Sequence, residues 1–208
     1  MFNNLFKRNK KDDIKSNRWI FGTMLAFGIT GLISAFVLTV EKFHVIENPN
    51  ATLSCSFNIV LNCATVMQTW QASVFGFPNS LIGLMAYPVV IAVAIFGLAG
   101  VKFPRWVLIG ANIGYLLGAV FAYWLFFQSV YVIQVLCPWC LIVTFSTTLL
   151  LATITHYNLR HNTFNLKGDV HNRIKQILAN DFDKLAVAVW IVALIALVFL
   201  KFGDSLFL

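Results

Sequence analysis

From residue 19 to residue 40 the chain runs 22 positions without one charged side chain. About 20 apolar residues in a helix, rising ~1.5 Å each, match a hydrocarbon core about 30 Å thick. Four further uncharged runs follow, at 80–101, 106–127, 137–155 and 185–200. Lipid offers no partner to a backbone N–H or C=O, so each run must pair its own backbone groups as a helix. A core of 208 residues cannot hide so much apolar surface: 59% of the chain is hydrophobic and 11% charged, against roughly 25% charged in soluble domains. The expectation is an all-α, polytopic membrane protein of five spans, the last of them short.

The net charge of +7 is a topology signal rather than a nucleic-acid footprint, because the basic residues sit at the ends of the apolar runs. Six lie in residues 1–18, two in the 102–105 turn and five in 156–184; Lys42 and Lys201 are the exceptions. The positive-inside rule then places the N-terminus in the cytosol and the protein in the cell's inner (cytoplasmic) membrane. Four segments follow: a flexible basic tail (1–18), a four-helix unit (19–155), a cytosolic loop (156–184) with a short surface helix over 170–179, and a fifth span with a short extracytoplasmic tail (185–208). The first run exceeds the usual apolar region of a signal peptide and reads as a span. Gly22, Gly28, Gly31, Ser34 and Ala35 within it offer sites of close helix approach. The loop over 41–78 is expected to be polar in its first half, around Glu47, Asn48, Pro49 and Asn50. Its second half (64–77) is expected to be partly helical and to cap the bundle at the membrane surface.

Four cysteines occur in the chain. Cys137-Pro138-Trp139-Cys140 opens the fourth run, and Pro138 suits a first helical position. Cys137 then sits at the cap and Cys140 in the first turn, near the positive end of the helix dipole, where a thiolate is favoured. Cys55 and Cys63 lie in the 41–78 loop with seven residues between them. On the topology above, both pairs share the extracytoplasmic, oxidising face. A loop pair that takes electrons from a soluble partner and a helix-mouth pair that passes them on would make a relay. Its lipid-borne acceptor would be a quinone, menaquinone or ubiquinone. A structural disulfide, a zinc site built from all four cysteines and a merely packed Cys-x-x-Cys remain alternatives, although zinc usually binds two short Cys knuckles and only one pair has that spacing. His44 lies at a helix end and His156, His161 and His171 in the cytosolic loop, read as solvated or interfacial.

The order Cys55-x7-Cys63, then Phe75-Gly76-Phe77-Pro78-Asn79-Ser80-x-x-Gly83, then Cys137-Pro-Trp-Cys140 at a helix start resembles the vitamin K epoxide reductase family and its bacterial homologues, over roughly residues 20–155. The resemblance implies four helices around a quinone pocket, no metal, and electrons arriving from a thioredoxin-like partner. It implies that Cys55 exchanges with that partner, that Cys63 attacks Cys137, and that Cys140 reduces the quinone. Asn79 matches the family asparagine that hydrogen-bonds a quinone carbonyl, and Thr69 stands where Ser or Thr is common. Phe75, Phe77 and Trp139 are candidate pocket walls.

Two departures stand out. The vitamin K enzymes carry tyrosine four positions after the second helix-mouth cysteine, where this chain has Thr144, which argues against epoxide reduction. Many bacterial relatives carry a fused thioredoxin-like domain after the fifth helix. Only residues 202–208 remain here, so the redox partner is expected to be a separate extracytoplasmic protein. The activity expected is disulfide bond formation coupled to quinone. Its rivals are vitamin K quinone or epoxide reduction, and a scaffold or transporter with structural cysteines.

Overall fold

The computed structural model describes the backbone of residues 2–48, 53, 55–56 and 60–206, and side chains from 17 to 203 apart from 179 within that set. Among the described residues seven α-helices follow one another: α1 (Phe2–Glu47), α2 (Cys63–Gln68), α3 (Ser80–Leu98), α4 (Arg105–Phe127), α5 (Pro138–Arg160), α6 (Gly168–Ala179) and α7 (Phe182–Leu206). A 3-10 turn, Trp70–Ser73, follows α2, and a π-helical turn, Gln128–Ile133, extends α4. Among the described residues there is no strand, only a single parallel bridge between Leu61 and Leu136. Among the described residues five helices are long and apolar enough to cross a membrane: Asn17–Glu47, Ser80–Leu98, Arg105–Ile133, Pro138–Arg160 and Phe182–Gly203. The chain is an all-α, multi-pass membrane protein.

Several boundaries differ from the sequence reading. α1 is helical from Phe2 and continues to Glu47, beyond both ends of the apolar run. Hydropathy marks where a helix leaves lipid, whereas Lys, Glu and Arg are good helix formers that let it continue in water. The fifth span is not short: α7 has 25 residues and starts at Phe182. The expected link at 128–136 is mostly the π-helical turn. The expected polar loop tip around Pro49 and Asn50 lies outside the described residues.

The bundle is assembled on α1, which packs against both α3 and α5, while α4 packs on α5. Small residues set the α1–α3 approach: a Cβ on Gly31 would lie 2.3 Å from the Tyr87 ring, and one on Gly83 would lie 2.9 Å from the Ala35 Cβ. Gly28 faces Ile91 and Val90 in the same seam, whereas Gly22 meets nothing within 4 Å and plays no such part. In lipid such van der Waals fit replaces the hydrophobic driving force. Polar ties hold the other seams. Asn158, wholly buried, donates from Nδ2 to the Leu108 carbonyl (3.1 Å), and Asn112 donates to Thr155 Oγ1 (2.9 Å). Trp190 Nε1 donates to the Tyr123 hydroxyl (2.8 Å) and fastens α7 outside the four-helix unit. Bonds of this kind are worth about 0.6 kcal/mol each in membranes. His156 is not merely solvated: its Nδ1 lies 2.5 Å from Asp183 Oδ2, joining the ends of α5 and α7. In contrast with these seams, α3 and α4 scarcely touch. A cavity occupies the space between them.

Candidate redox site

The Leu61–Leu136 bridge holds the cysteine-bearing segments together. Leu136 N–H donates to Val60 O (2.7 Å) and Asn62 N–H donates to Leu136 O (3.1 Å). One residue beyond each of these anchors, Asn62 and Leu136, a helix carries a cysteine inward. Asn62 caps α2, its Oδ1 accepting from Thr65 N–H (3.2 Å) and also from Ser56 Oγ (3.1 Å), next to Cys55. Cys137 caps α5 with Pro138 in its first turn, as the Cys-Pro-x-Cys pattern predicts, and Cys140 N–H points to Cys137 Sγ at 3.4 Å. Negative charge arising on Cys137 Sγ therefore meets a backbone donor at the positive end of a helix.

Cys55 and Cys63 form a disulfide, with Cα atoms 5.7 Å apart, and Cys137 and Cys140 are free thiols. Cys63 Sγ lies 3.3 Å from Cys137 Sγ, across 74 residues of sequence. Cys55, Cys63 and Cys137 are all buried, in an apolar cluster with Val45, Leu53 and Met67. The loop pair, expected to face a soluble partner, is thus covered in this arrangement. Among the described residues no group of three His, Cys, Asp or Glu side chains could hold a metal ion.

Cys137 and Cys140 open onto a cavity of about 230 Å³ walled by α1, α3, α4, α5 and the α2 cap. Its lining is almost wholly apolar; the polar exceptions include Gln71, Asn79, Tyr87, Thr144 and Thr147. The Tyr87 hydroxyl lies 3.0 Å from Thr147 Oγ1, and Thr144 Oγ1 donates to the Cys140 carbonyl (2.9 Å). Among the described lining residues Lys42 is the one charged side chain, and its Nζ donates to the Met67 carbonyl at 2.5 Å. The sequence signalled Lys42 only as a basic residue on the wrong side for the positive-inside count.

The expected pocket residues divide. Asn79 does line the cavity. It makes no side-chain cap on α3. Its Nδ2 instead donates to Gln71 O (2.6 Å) and its Oδ1 accepts from Val74 N–H (3.1 Å), pinning the 71–79 loop over the cavity. One Nδ2 hydrogen remains for a ligand. Gly76, at φ +80, makes the turn inside that loop, in a conformation that side chains disfavour. Thr69 does not line the cavity; its hydroxyl bonds back to Val66 O (2.7 Å) at the end of α2. Phe75 and Phe77 stack on each other on the outer face, both exposed, and Phe75 reaches the cavity only through Phe121. Trp139 packs against the cysteine cluster rather than the cavity. These departures share a cause: spacing alone does not say which side of a turn or helix faces the cavity.

A helical multi-pass protein in which two cysteine pairs meet at the mouth of an apolar cavity has the arrangement that a membrane redox protein needs. Residues 23–155 match the vitamin K epoxide reductase family, more than half of the chain, and the chain belongs to that family. It is accordingly a membrane oxidoreductase of a quinone-associated family. No curated protein matches the chain.

Proposed function

We propose that the protein forms disulfides in extracytoplasmic substrates by passing their electrons to membrane quinone. A thioredoxin-like partner in its dithiol form reduces the Cys55–Cys63 disulfide, leaving two thiols and an oxidised partner. Cys63 thiolate then attacks Cys137 of a closed Cys137–Cys140 disulfide; Cys140 leaves as thiolate, and Cys55 resolves the Cys63–Cys137 bond. The loop pair is again a disulfide and the helix-mouth pair a dithiol. Two electrons and two protons pass from that dithiol to a quinone in the cavity, giving quinol and closing Cys137–Cys140. Thiol–disulfide exchange requires touching sulfurs, and the observation that carries this reading is the 3.3 Å separation of Cys63 and Cys137 beside a cavity lined by Cys140.

Cys55 is buried in this arrangement, so the partner's attack on it requires that this cover be opened. The N-terminus is assigned to the cytosol and both pairs to the outer face of the cytoplasmic membrane, on the asymmetry of the basic residues. The remaining Asn79 donor is assigned to a quinone carbonyl, where it favours the developing negative oxygen. Which quinone serves, menaquinone or ubiquinone, is decided by measured turnover with each. The test of the reading is thiol-dependent quinone reduction by the purified protein: Cys140→Ala should abolish it, and full activity in that variant would overturn the mechanism.

A further inference from the structure

The cavity's described wall is apolar except for a few hydroxyls and amides and one formal charge, that of Lys42. Lys42 lies two residues past the apolar run of α1, and a charge in an apolar wall is costly unless something there answers it. An ammonium has three N–H donors. Among the described residues it finds one acceptor, the Met67 carbonyl at 2.5 Å. The adjacent Glu41 does not line the cavity. Capping the C-terminal end of α2 accounts for one donor and for a favourable dipole contact, but not for a net charge in a wall that Cys140 shares. Among the described lining residues no anion answers that charge, and quinone reduction makes one there.

We infer that Lys42 is the electrostatic partner of the reduced acceptor, neutralising the negative oxygen that forms during electron transfer and giving it a proton. The inference rests on the quinone reading above and names the group that completes it. In balance, the thiols of Cys137 and Cys140 lose two electrons and two protons as their S–S bond forms. The two carbonyl oxygens of the acceptor gain them and become hydroxyls. One proton travels through Lys42: its N–H breaks as the first O–H forms, and the amine is reprotonated by a proton released from the thiol pair. The second thiol proton ends on the second oxygen.

The test is a binding measurement on the full chain with both cysteine pairs oxidised, so that no turnover occurs. Two probes of like size are compared by quenching of tryptophan fluorescence: 2-hydroxy-1,4-naphthoquinone, ionised at neutral pH, and neutral 2-methyl-1,4-naphthoquinone. An anion entering an apolar cavity loses its hydration, so without a cation the neutral probe is preferred. Wild type is expected to favour the anion by about tenfold, as one partly buried opposite charge in reach can supply. Lys42→Met should reverse that preference with the neutral probe's affinity held within about twofold, and Lys42→Arg should keep it. Equal probe ratios in wild type and Lys42→Met would overturn the inference and leave Lys42 as a cap on α2. Should Lys42→Met fail to fold, a wild type that prefers the neutral probe overturns it equally. Binding of both probes without a charge preference leaves the quinone reading standing and removes Lys42 from it. Binding of neither removes both.

Discussion

Cys63 and Cys137 bring their sulfurs to 3.3 Å although 74 positions separate them. Neither helix alone achieves this. The contact follows from the two backbone bonds of the Leu61–Leu136 bridge, placed one and two residues before the cysteines.

The two pairs should fail differently when broken. Cys140→Ala is expected to lose quinone reduction with any reductant. Cys55→Ala should lose it with the protein partner yet keep it with dithiothreitol, which can feed the helix-mouth thiols through the cavity. Quinol formation followed by absorbance, with each reductant in turn, checks both. Full activity of Cys55→Ala with the protein partner would mean that the pairs do not act in series.

Asn62 should matter more than an ordinary loop amide, since one oxygen serves both the α2 cap and the tie to Ser56. Asn62→Ala is expected to destabilise the α2 start by about 1 kcal/mol. Amide exchange at Thr65 should accelerate to match, while Asn62→Asp restores protection. The rate of electron transfer between the pairs should fall in Asn62→Ala and recover in Asn62→Asp.

Asn79 fixes the loop above the cavity from both ends of its amide. Asn79→Ala leaves the Val74 N–H and the Gln71 carbonyl without these partners, a loss of about 1–3 kcal/mol where such groups stay buried. Proteolysis within 70–77 should speed up. The KM for quinone should rise as well, whereas Cys55–Cys63 reduction by the partner should continue. Unchanged proteolysis would show that the two bonds do not hold the loop.

The α1–α3 seam should tolerate no added carbon at Gly31, where a Cβ would stand 2.3 Å from the Tyr87 ring. Gly31→Ala is expected to lose about 1–3 kcal/mol through overpacking. Gly22→Ala, with nothing within 4 Å, should be neutral or slightly stabilising through helix propensity. Thermal unfolding midpoints in one detergent separate the two.

Much of this was legible in the sequence because lipid imposes few solutions. Uncharged runs of about 20 residues must be helices, and a Cys-Pro-x-Cys at the head of one must place its sulfurs at a cap. The family pattern added the order of the cysteines. What escaped was what hydropathy does not encode. The continuation of α1 to both sides of its apolar run, and the full length of α7, depend on polar residues that form helices well in water. The fate of Thr69, Phe75, Phe77 and Trp139 depends on which way the local backbone aims each side chain, and this is fixed by partners such as Val66 O and Phe121 rather than by spacing. Asn79 reads as a cap or a ligand contact from sequence; only tertiary contact reveals that it anchors Gln71 and Val74. Lys42 carried a signal, a cation out of place in the charge count, but nothing local tied it to Met67.

Electron transfer between the pairs at the Cys63–Cys137 contact is the step on which the relay depends. Its most direct test is a double variant, Cys55→Ala with Cys140→Ala, oxidised in the membrane and mapped by mass spectrometry after alkylation. The two remaining sulfurs should close an intramolecular Cys63–Cys137 disulfide in high yield. Free thiols at both positions, or cross-links only between molecules, would contradict the relay.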